Sequence, residues 1–428
     1  MIPSSSKHLL LCLLIFVCTS AKSQPGTFQQ DTLHISLENA EQAFLQNNLQ
    51  LLAQRYNIDV QRALIIQARL YPNPNINFNR GFYHPELKKF FMGGTEGETA
   101  ASLSQLVILA GKRNKQVKIA ETNATLAEYQ LYNLLRTLKY TLRLDFFNIY
   151  FLQQSAKVYD EEIRSLQTVV TAFQQQQGKG YISEKEVIRI KAQLYSLQSE
   201  YNDLINQIND RQSELRLVLQ VRNAYIDPLV DEGGINGLNP SQYPITALID
   251  TAYAARTDLK IARATVDLSR QTYQLQKAMA VPDITLQMGY DEQGSYIHNF
   301  NSVGFGIDIP IFNRNQGNIK SSKAVIDFSV ASQKSTEATV EEQVSRALLK
   351  ALDNDRMYKK IDPSFGKDFD RLLHEVLINY QRRNIGLLDF IDFYDSYKQN
   401  MLQINTLKFN RVGAFEDLNF YTGAAFFN

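Results

Sequence analysis

From Asp283 to Tyr290 the chain reads Asp-Ile-Thr-Leu-Gln-Met-Gly-Tyr, with Ile284, Leu286, Met288 and Tyr290 alternating against Asp283, Thr285, Gln287 and Gly289. A period of two predicts a β-strand with one apolar and one polar face. After Pro74, Ile76, Phe78 and Phe82 alternate in the same way with Asn75, Asn77, Asn79 and Gly81. Return strands follow, with Val303, Phe305, Ile307 and Ile309 set against Gly304, Gly306 and Asp308, and Ala101, Leu103 and Val107 set against Ser102 and Ser104. The predicted spans are 75–83, 100–109, 283–291 and 300–311, each about nine to twelve residues, the length a tilted strand needs to cross a bilayer. An antiparallel sheet lying on a soluble core alternates in the same way, so the neighbouring segments must decide.

Those segments reveal a duplication. The two strand starts lie about 208 residues apart, and the same shift lays Gln50-Leu51 on Asp258-Leu259, each opening a helix rich in Ala, Gln and Arg. Self-similarity at a fixed offset is the mark of a repeated supersecondary unit. Each copy reads helix, strand, strand, long helix, turn, helix. The first repeat is assigned to 24–220 and the second to 244–428, with the repeated unit itself covering about 36–220 and 244–421. Between them Asp227-Pro228, Gly233-Gly234, Gly237, Asn239-Pro240 and Pro244 predict an irregular linker over 221–243.

The helices after the strand pairs are too long for an ordinary core. From Lys112 to Gln177 there is neither proline nor glycine, which predicts a rod of about 100 Å. Its apolar residues recur at alternating three and four, through Val117, Ala120, Ala124, Ala127, Leu131, Leu134 and Leu138, then Ile149 to Phe173 after a one-residue slip. This is coiled-coil spacing. The chain should turn at Gly178-Lys179-Gly180 and return as a helix from Ser183 to Leu219, closing a hairpin over 112–220. A second hairpin is predicted over 318–420: a rod from Asn318, a kink at Asp362-Pro363, a turn near Arg383 to Gly386, and a return from Leu387.

At the N-terminus Lys7 and His8 precede an apolar run, Leu9 to Val17, and then Ala21-Lys22-Ser23. This reads as a secretory signal peptide over 1–23. Acylation at Cys18 is the rival reading, but a lipobox wants a small residue before the cysteine and Val17 stands there. Cys12 and Cys18 both fall inside the signal, so the exported chain is expected to carry no disulfide, thiol nucleophile or Cys metal site. The 45 basic and 44 acidic residues leave a net charge of +1, so no global field favours nucleic acid.

Four strands cannot close a barrel, since about eight is the smallest number that seals its edges. Several chains must therefore pool their strands, the apolar faces toward lipid and Asp283, Thr285, Gln287 and Asp308 toward a wet lumen. Leu70-Tyr71-Pro72-Asn73-Pro74, Leu103-Ser104-Gln105, Gly111-Lys112-Arg113 and above all Ile309-Pro310-Ile311-Phe312-Asn313-Arg314-Asn315-Gln316-Gly317-Asn318-Ile319 resemble the strand-to-helix passages of TolC-like outer-membrane efflux factors. The last stretch is closest to the cation-efflux CusC and CzcC type. The resemblance implies a mixed, mainly α fold: a homotrimer with an outer-membrane β-barrel continued by a periplasmic α-helical barrel. It also implies a periplasmic adaptor and an inner-membrane pump as partners, and no cofactor.

The same resemblance carries the site residues. Gly180, Tyr181, Ile182 and Ser183 match the family's first adaptor-contacting tip, and Asn384, Ile385 and Gly386 match the second, although Arg383 stands where the family has glycine. Turn residues needing permissive backbone angles would read alike. Asp389 and Asp392 fall where the family rings its closed entrance with carboxylates, although charges on a solvated helix face look the same. Tyr380 matches a position that bonds across the hairpins, with Glu186 as the expected acceptor, while Ile385 replaces the family's closing basic residue.

Enzymatic readings find no footing. His8, His34, His84, His298 and His374 show no metal-ligand spacing, six methionines are too few for a relay, and Gly93-Gly94-Thr95-Glu96-Gly97 lacks the lysine of a phosphate loop. No catalytic, cofactor or metal residue is assigned. The expected function is the outer-membrane duct of a tripartite efflux system driven by a pump of the resistance-nodulation-division type, with metal cations as one cargo class. The alternatives are the outer channel of a type I secretion or drug-export system, and a periplasmic coiled-coil scaffold without a pore.

Overall fold

The computed structural model describes residues 31–293, 297–362, 364–382 and 384–427, apart from the side chains of Thr95, Lys367, Asp368 and Asp370. The predicted signal peptide, Cys12, Cys18, Pro363 and Arg383 lie outside the described residues. In chain order the elements are β1 (Asp31–Ser36), α1 (Leu37–Asn47), α2 (Leu49–Arg69), β2 (Asn75–Arg80), β3 (Tyr83–His84), β4 (Lys89–Phe90), β5 (Thr99–Val107), α3 (Lys112–Gly178) and α4 (Glu184–Leu219). Then come β6 (Ala224–Leu229), α5 (Glu232–Asn236), α6 (Ile245–Ala255), α7 (Thr257–Met279), β7 (Ile284–Asp291), β8 (Phe300–Ile307), α8 (Gln316–Lys359), α9 (Phe365–Gln381) and α10 (Leu387–Thr422).

α3 runs for 67 residues, about 100 Å at 1.5 Å per residue. Its upper half packs beside α2 and α7, while its lower half packs beside α4 and α10. The interior divides accordingly into three clusters. The lowest joins Leu166, Val170, Phe173, Ile190 and Leu197 of the first hairpin to Tyr380, Phe390 and Tyr394 of the second. A middle belt gathers Phe44, Leu142, Phe146, Leu215, Ile226 and Val412. A third unites Leu248, Leu259, Val344, Ala351, Phe415 and Leu418.

The two halves carry matching corners. Asn48 ends α1 and caps α2, its Oδ1 accepting from Gln50 and Leu51 N–H, while Nδ2 donates to the Val218 carbonyl at 2.9 Å. Arg256 stands between α6 and α7 and is also buried, with its guanidinium on Asp258, Gln343 and the Tyr421 carbonyl.

Three expectations need correction. The predicted linker is partly regular: β6 pairs in parallel with β1 from Asp31↔Ala224 to Ser36↔Leu229. Gln212 pins it, accepting from Ile226 N–H at 2.9 Å and donating to the Ile226 carbonyl. Pro228 is tolerated because a two-stranded sheet consists only of edges. The strands are also shorter than predicted, six to nine residues. β2 gives way after Arg80 to the small β3–β4 hairpin, and β8 stops before Pro310, which has no N–H to extend a ladder. Finally, the second rod is interrupted: α8 ends at Lys359 and α9 resumes at Phe365, with Asp362 Oδ1 accepting from Ser364 N–H at 2.9 Å. A residue before proline avoids helical angles, and Asp362 precedes one.

Candidate functional site

β2, β5, β7 and β8 form one antiparallel sheet in the order β2-β5-β7-β8. Its register aligns side chains of one character into rows. Ile76 faces Leu103, Leu103 faces Met288, and Met288 faces Val303. One residue along, the row is Asn77, Ser102, Gly289 and Ser302. Because successive side chains point to opposite faces, one face is apolar across all four strands and the other is polar and small. The apolar face is not covered: Ile76 is 75% exposed, Val303 81% and Phe305 75%. Such a face is too large for a surface meant for water. The outer edges of β2 and β8 carry no partner strand among the described residues.

Below the sheet, the corners into the rods use left-handed backbone. Gly111 (φ +64) opens α3 and Asn315 (φ +58) opens α8. Asp283 was expected on the lumen face of a strand, but it precedes β7 and works as a clamp. Its Oδ1 takes the Leu109 N–H at 2.8 Å and the Lys112 Nζ at 2.7 Å, and Lys112 is buried. The first corner is thereby tied to the second half of the chain.

The two tips share one construction. At the end of α3, Tyr181 N–H reaches the Gln176 carbonyl and Gly180 N–H the Gln177 carbonyl, with Gly180 at φ +76. This is a Schellman close, which needs a left-handed residue at the position of Gly180. At the end of α9, Asn384 N–H reaches the Asn379 carbonyl at 2.9 Å in the corresponding bond. The first return helix then starts with a reciprocal cap, Glu186 N–H also donating to Ser183 Oγ, and the second with its one-sided counterpart, because Gly386 has no side chain to accept. Ser183 N–H and Oγ donate to Glu186 Oε2 at 3.1 and 2.8 Å, and Gly386 N–H donates to Asp389 Oδ2 at 3.3 Å. Carboxylates at this third helical position also meet the positive end of the helix dipole. Gly180, Tyr181, Ser183, Asn384 and Gly386 are exposed, whereas Ile182 and Ile385 are half-buried against the lowest cluster.

The expected Tyr380–Glu186 hydrogen bond is not made, because Glu186 is engaged by Ser183. The Tyr380 hydroxyl is buried and has no hydrogen-bond partner among the described residues. Burial, with the nearby Glu186 charge second, pushes its pKa up. Tyr380 joins the hairpins through its ring instead, 4.2 Å from Phe390 in a stack and 5.2 Å from Phe173 of α3. Asp389 and Asp392 are one turn apart on α10 and both exposed, so they share a face. Asp389 serves as a cap as well.

His84 Nδ1 accepts from Leu87 N–H at 3.4 Å, and no group of three or more His, Cys, Asp or Glu is arranged to hold a metal among the described residues. No helix among the described residues is long and apolar enough to cross a membrane. Residue reasoning missed the Asp283–Lys112 clamp, the pair of Arg411 and Asp355 at 2.9 Å, and the buried Lys398. The available signal was a charge set at an apolar-periodic helix position, as Lys398 is beside Tyr394 and Tyr397.

An uncovered two-faced sheet with free edges above long paired hairpins defines the class of chain that completes a pore by association. A family profile described as outer membrane efflux protein matches residues 41–220 and 248–359, and the chain belongs to that family. The cobalt-zinc-cadmium resistance protein CzcC of Cupriavidus metallidurans is 23% identical over 291 residues, 67% of this chain and 66% of CzcC, so the match spans just under two thirds of that relative. The fold is similar to the CmeC outer membrane channel of Campylobacter jejuni, with a TM-score of 0.73 at 14% identity over 90% of this chain and 85% of that one. It is also similar to CusC, with a TM-score of 0.72 at 16% identity over 94% and 96%.

Proposed function

We propose that three copies of this chain form an outer-membrane duct, their twelve pooled strands sealed edge to edge between β8 of one copy and β2 of the next. The duct is passive: substrates arrive from an inner-membrane pump through a periplasmic adaptor seated on the Gly180–Ser183 and Asn384–Gly386 tips. The observation that supports this reading is the register of the open sheet, which sorts apolar and polar residues onto opposite faces and leaves the apolar one uncovered. A scaffold lying in water would gain nothing from either feature. The exported chain begins after Ser23, and Asp389 and Asp392 line the periplasmic entrance.

CzcC is by name a cobalt-zinc-cadmium resistance protein, and divalent cations are the cargo class proposed here ahead of proteins or drugs. Membrane-extracted protein should migrate as a heat-modifiable trimer and conduct ions in planar bilayers, and deleting its gene should sensitise cells to cobalt, zinc or cadmium. A water-soluble monomer without conductance would refute the duct, whereas conductance without metal sensitivity would refute only the cargo.

A further inference from the structure

Above the tips, by about 18 Å along α10 and about 25 Å along α4 at 1.5 Å per residue, the two hairpins share a charged cluster at the margin of an otherwise apolar interior. Lys398 on α10 has a side chain only 7% exposed, and its Nζ lies 2.8 Å from Glu200 Oε2 on α4 and 3.5 Å from Asp395 Oδ1. Asp395 also accepts from Gln193 Nε2 of α4 at 2.9 Å. On α3, Tyr159 donates to Glu200 at 3.3 Å. Glu162, one turn further down α3, is 3% exposed, and its Oε1 has no hydrogen-bond partner among the described residues. Leu166, Leu197 and Tyr394 surround the group, and α9 adds the Phe369 ring against Tyr397. One ammonium thus faces three carboxyl groups drawn from three helices.

Glu200 and Asp395 keep side chains 41% and 37% exposed, so water screens their charges, whereas a carboxylate at the buried Glu162 would stand unsolvated beside them. Glu162, the one without a partner at Oε1, is the member that keeps its proton. Burial pushes its carboxyl up to about 8, with Asp395 and Glu200 adding to the effect and Lys398 opposing it. Burial alone would lower the Lys398 pKa, but the hydrogen bond and charge of Glu200, with Asp395 adding to them, outweigh it and raise it.

We propose that Lys398, Glu200, Asp395 and Glu162 form a proton-sensitive latch that ties the second hairpin to the first and controls separation of the tips. The inference rests on the duct reading and adds to it a regulating site. The interruption between Lys359 and Phe365 supports it, because α9 joins α8 through a bend while α10 runs unbroken past that level. The lower part of the second hairpin is therefore fastened mainly through α10, where Lys398 sits. Parting the hairpins admits water to Glu162 and restores its ordinary acidity. The latched state accordingly holds one more proton, and linkage makes separation hardest in acid and easier as pH rises from about 4.5 to about 8.

The test uses the purified full-length trimer. Conductance of the wild type should rise several-fold between about pH 5 and about pH 8. Glu162→Gln should remove most of that rise while trimers stay heat-modifiable. Lys398→Met should raise conductance already in acid. Spin labels at the exposed positions Tyr195 and Gln399 report hairpin separation independently of conduction, and their distance should widen with pH in the wild type and not in Glu162→Gln. A pH response of both readouts that survives Glu162→Gln, or acid conductance unchanged by Lys398→Met, overturns the latch. A protein that conducts nothing yet shows the label response keeps the latch and refutes the duct instead.

Discussion

Asn48 and Arg256 stand at the same corner of the two halves, with backbone angles of −67° and 116° in one and −63° and 126° in the other. Two unlike side chains solve one problem, the unsatisfied N–H and C=O groups where one helix breaks off and the next begins. Asn48→Ala should remove a cap of about 1 kcal/mol and leave the Val218 carbonyl short of a donor, costing about 1–3 kcal/mol more. Thermal melting of the detergent-extracted trimer checks this. An unchanged midpoint would remove Asn48 from the stabilising set.

Val303 and Ser302 are neighbours on opposite faces of the sheet. Val303→Arg places a guanidinium on the apolar face, where lipid exposure costs about 2–4 kcal/mol at the bilayer midplane. It should abolish heat-modifiable trimers in the outer-membrane fraction. Ser302→Arg should retain them and shift ion selectivity toward anions. The reverse ranking would show that the faces have been assigned the wrong way round.

Asp389 and Asp392 should separate by mechanism. Asp389→Ala loses the bond to Gly386 N–H, costing about 1 kcal/mol at the start of α10. Asp392→Ala should leave melting unaltered. If both line the entrance, the double variant raises single-channel conductance and weakens block by multivalent cations. Wild-type conductance and block in the double variant would dismiss the entrance role for both.

Gly180 has open space where a side chain would begin, so Gly180→Trp meets only the strain of its left-handed backbone, about 1 kcal/mol. Trimers should persist while export fails, because the indole occupies the proposed adaptor seat. Loss of the trimers themselves would assign Gly180 to folding.

Asp145 should give stability a pH slope. It is buried on α3, with Arg211 3.7 Å away. Burial, helped by Glu214 and opposed by Arg211, pushes its carboxyl up to about 7. Because the folded value lies above the unfolded one, the native state binds the extra proton. Asp145 therefore disfavours folding progressively as pH rises from about 4 to about 7, by at most about 1.4 kcal/mol per unit. Asp145→Asn should flatten that slope and melt higher than wild type at about pH 8. A slope identical to wild type would contradict the assignment.

The long rods were legible because their signals are local. Absence of proline and glycine from Lys112 to Gln177 and a three-four apolar spacing required nothing from elsewhere in the chain. The strand faces were equally plain from a period of two. The β1–β6 pair was not, since a parallel ladder between segments about 190 residues apart has no local signature, and the Pro and Gly residues around it suggested disorder of form. At the tips, turn chemistry predicted the bends but not their partners. Glu186 looked like an acceptor for Tyr380, yet a serine three residues away in the same helix start reaches it first.

What the sequence by itself determined is the inventory: two copies of a strand pair and a helical hairpin, with faces sorted by periodicity, a property each segment carries alone. The tertiary structure decided which charges sit together. Asp283 meets Lys112, and Lys398 meets Glu200, only because segments distant in the chain lie side by side. Burial then sets the value of each charge, and burial belongs to the packed molecule rather than to any residue's neighbours in the chain.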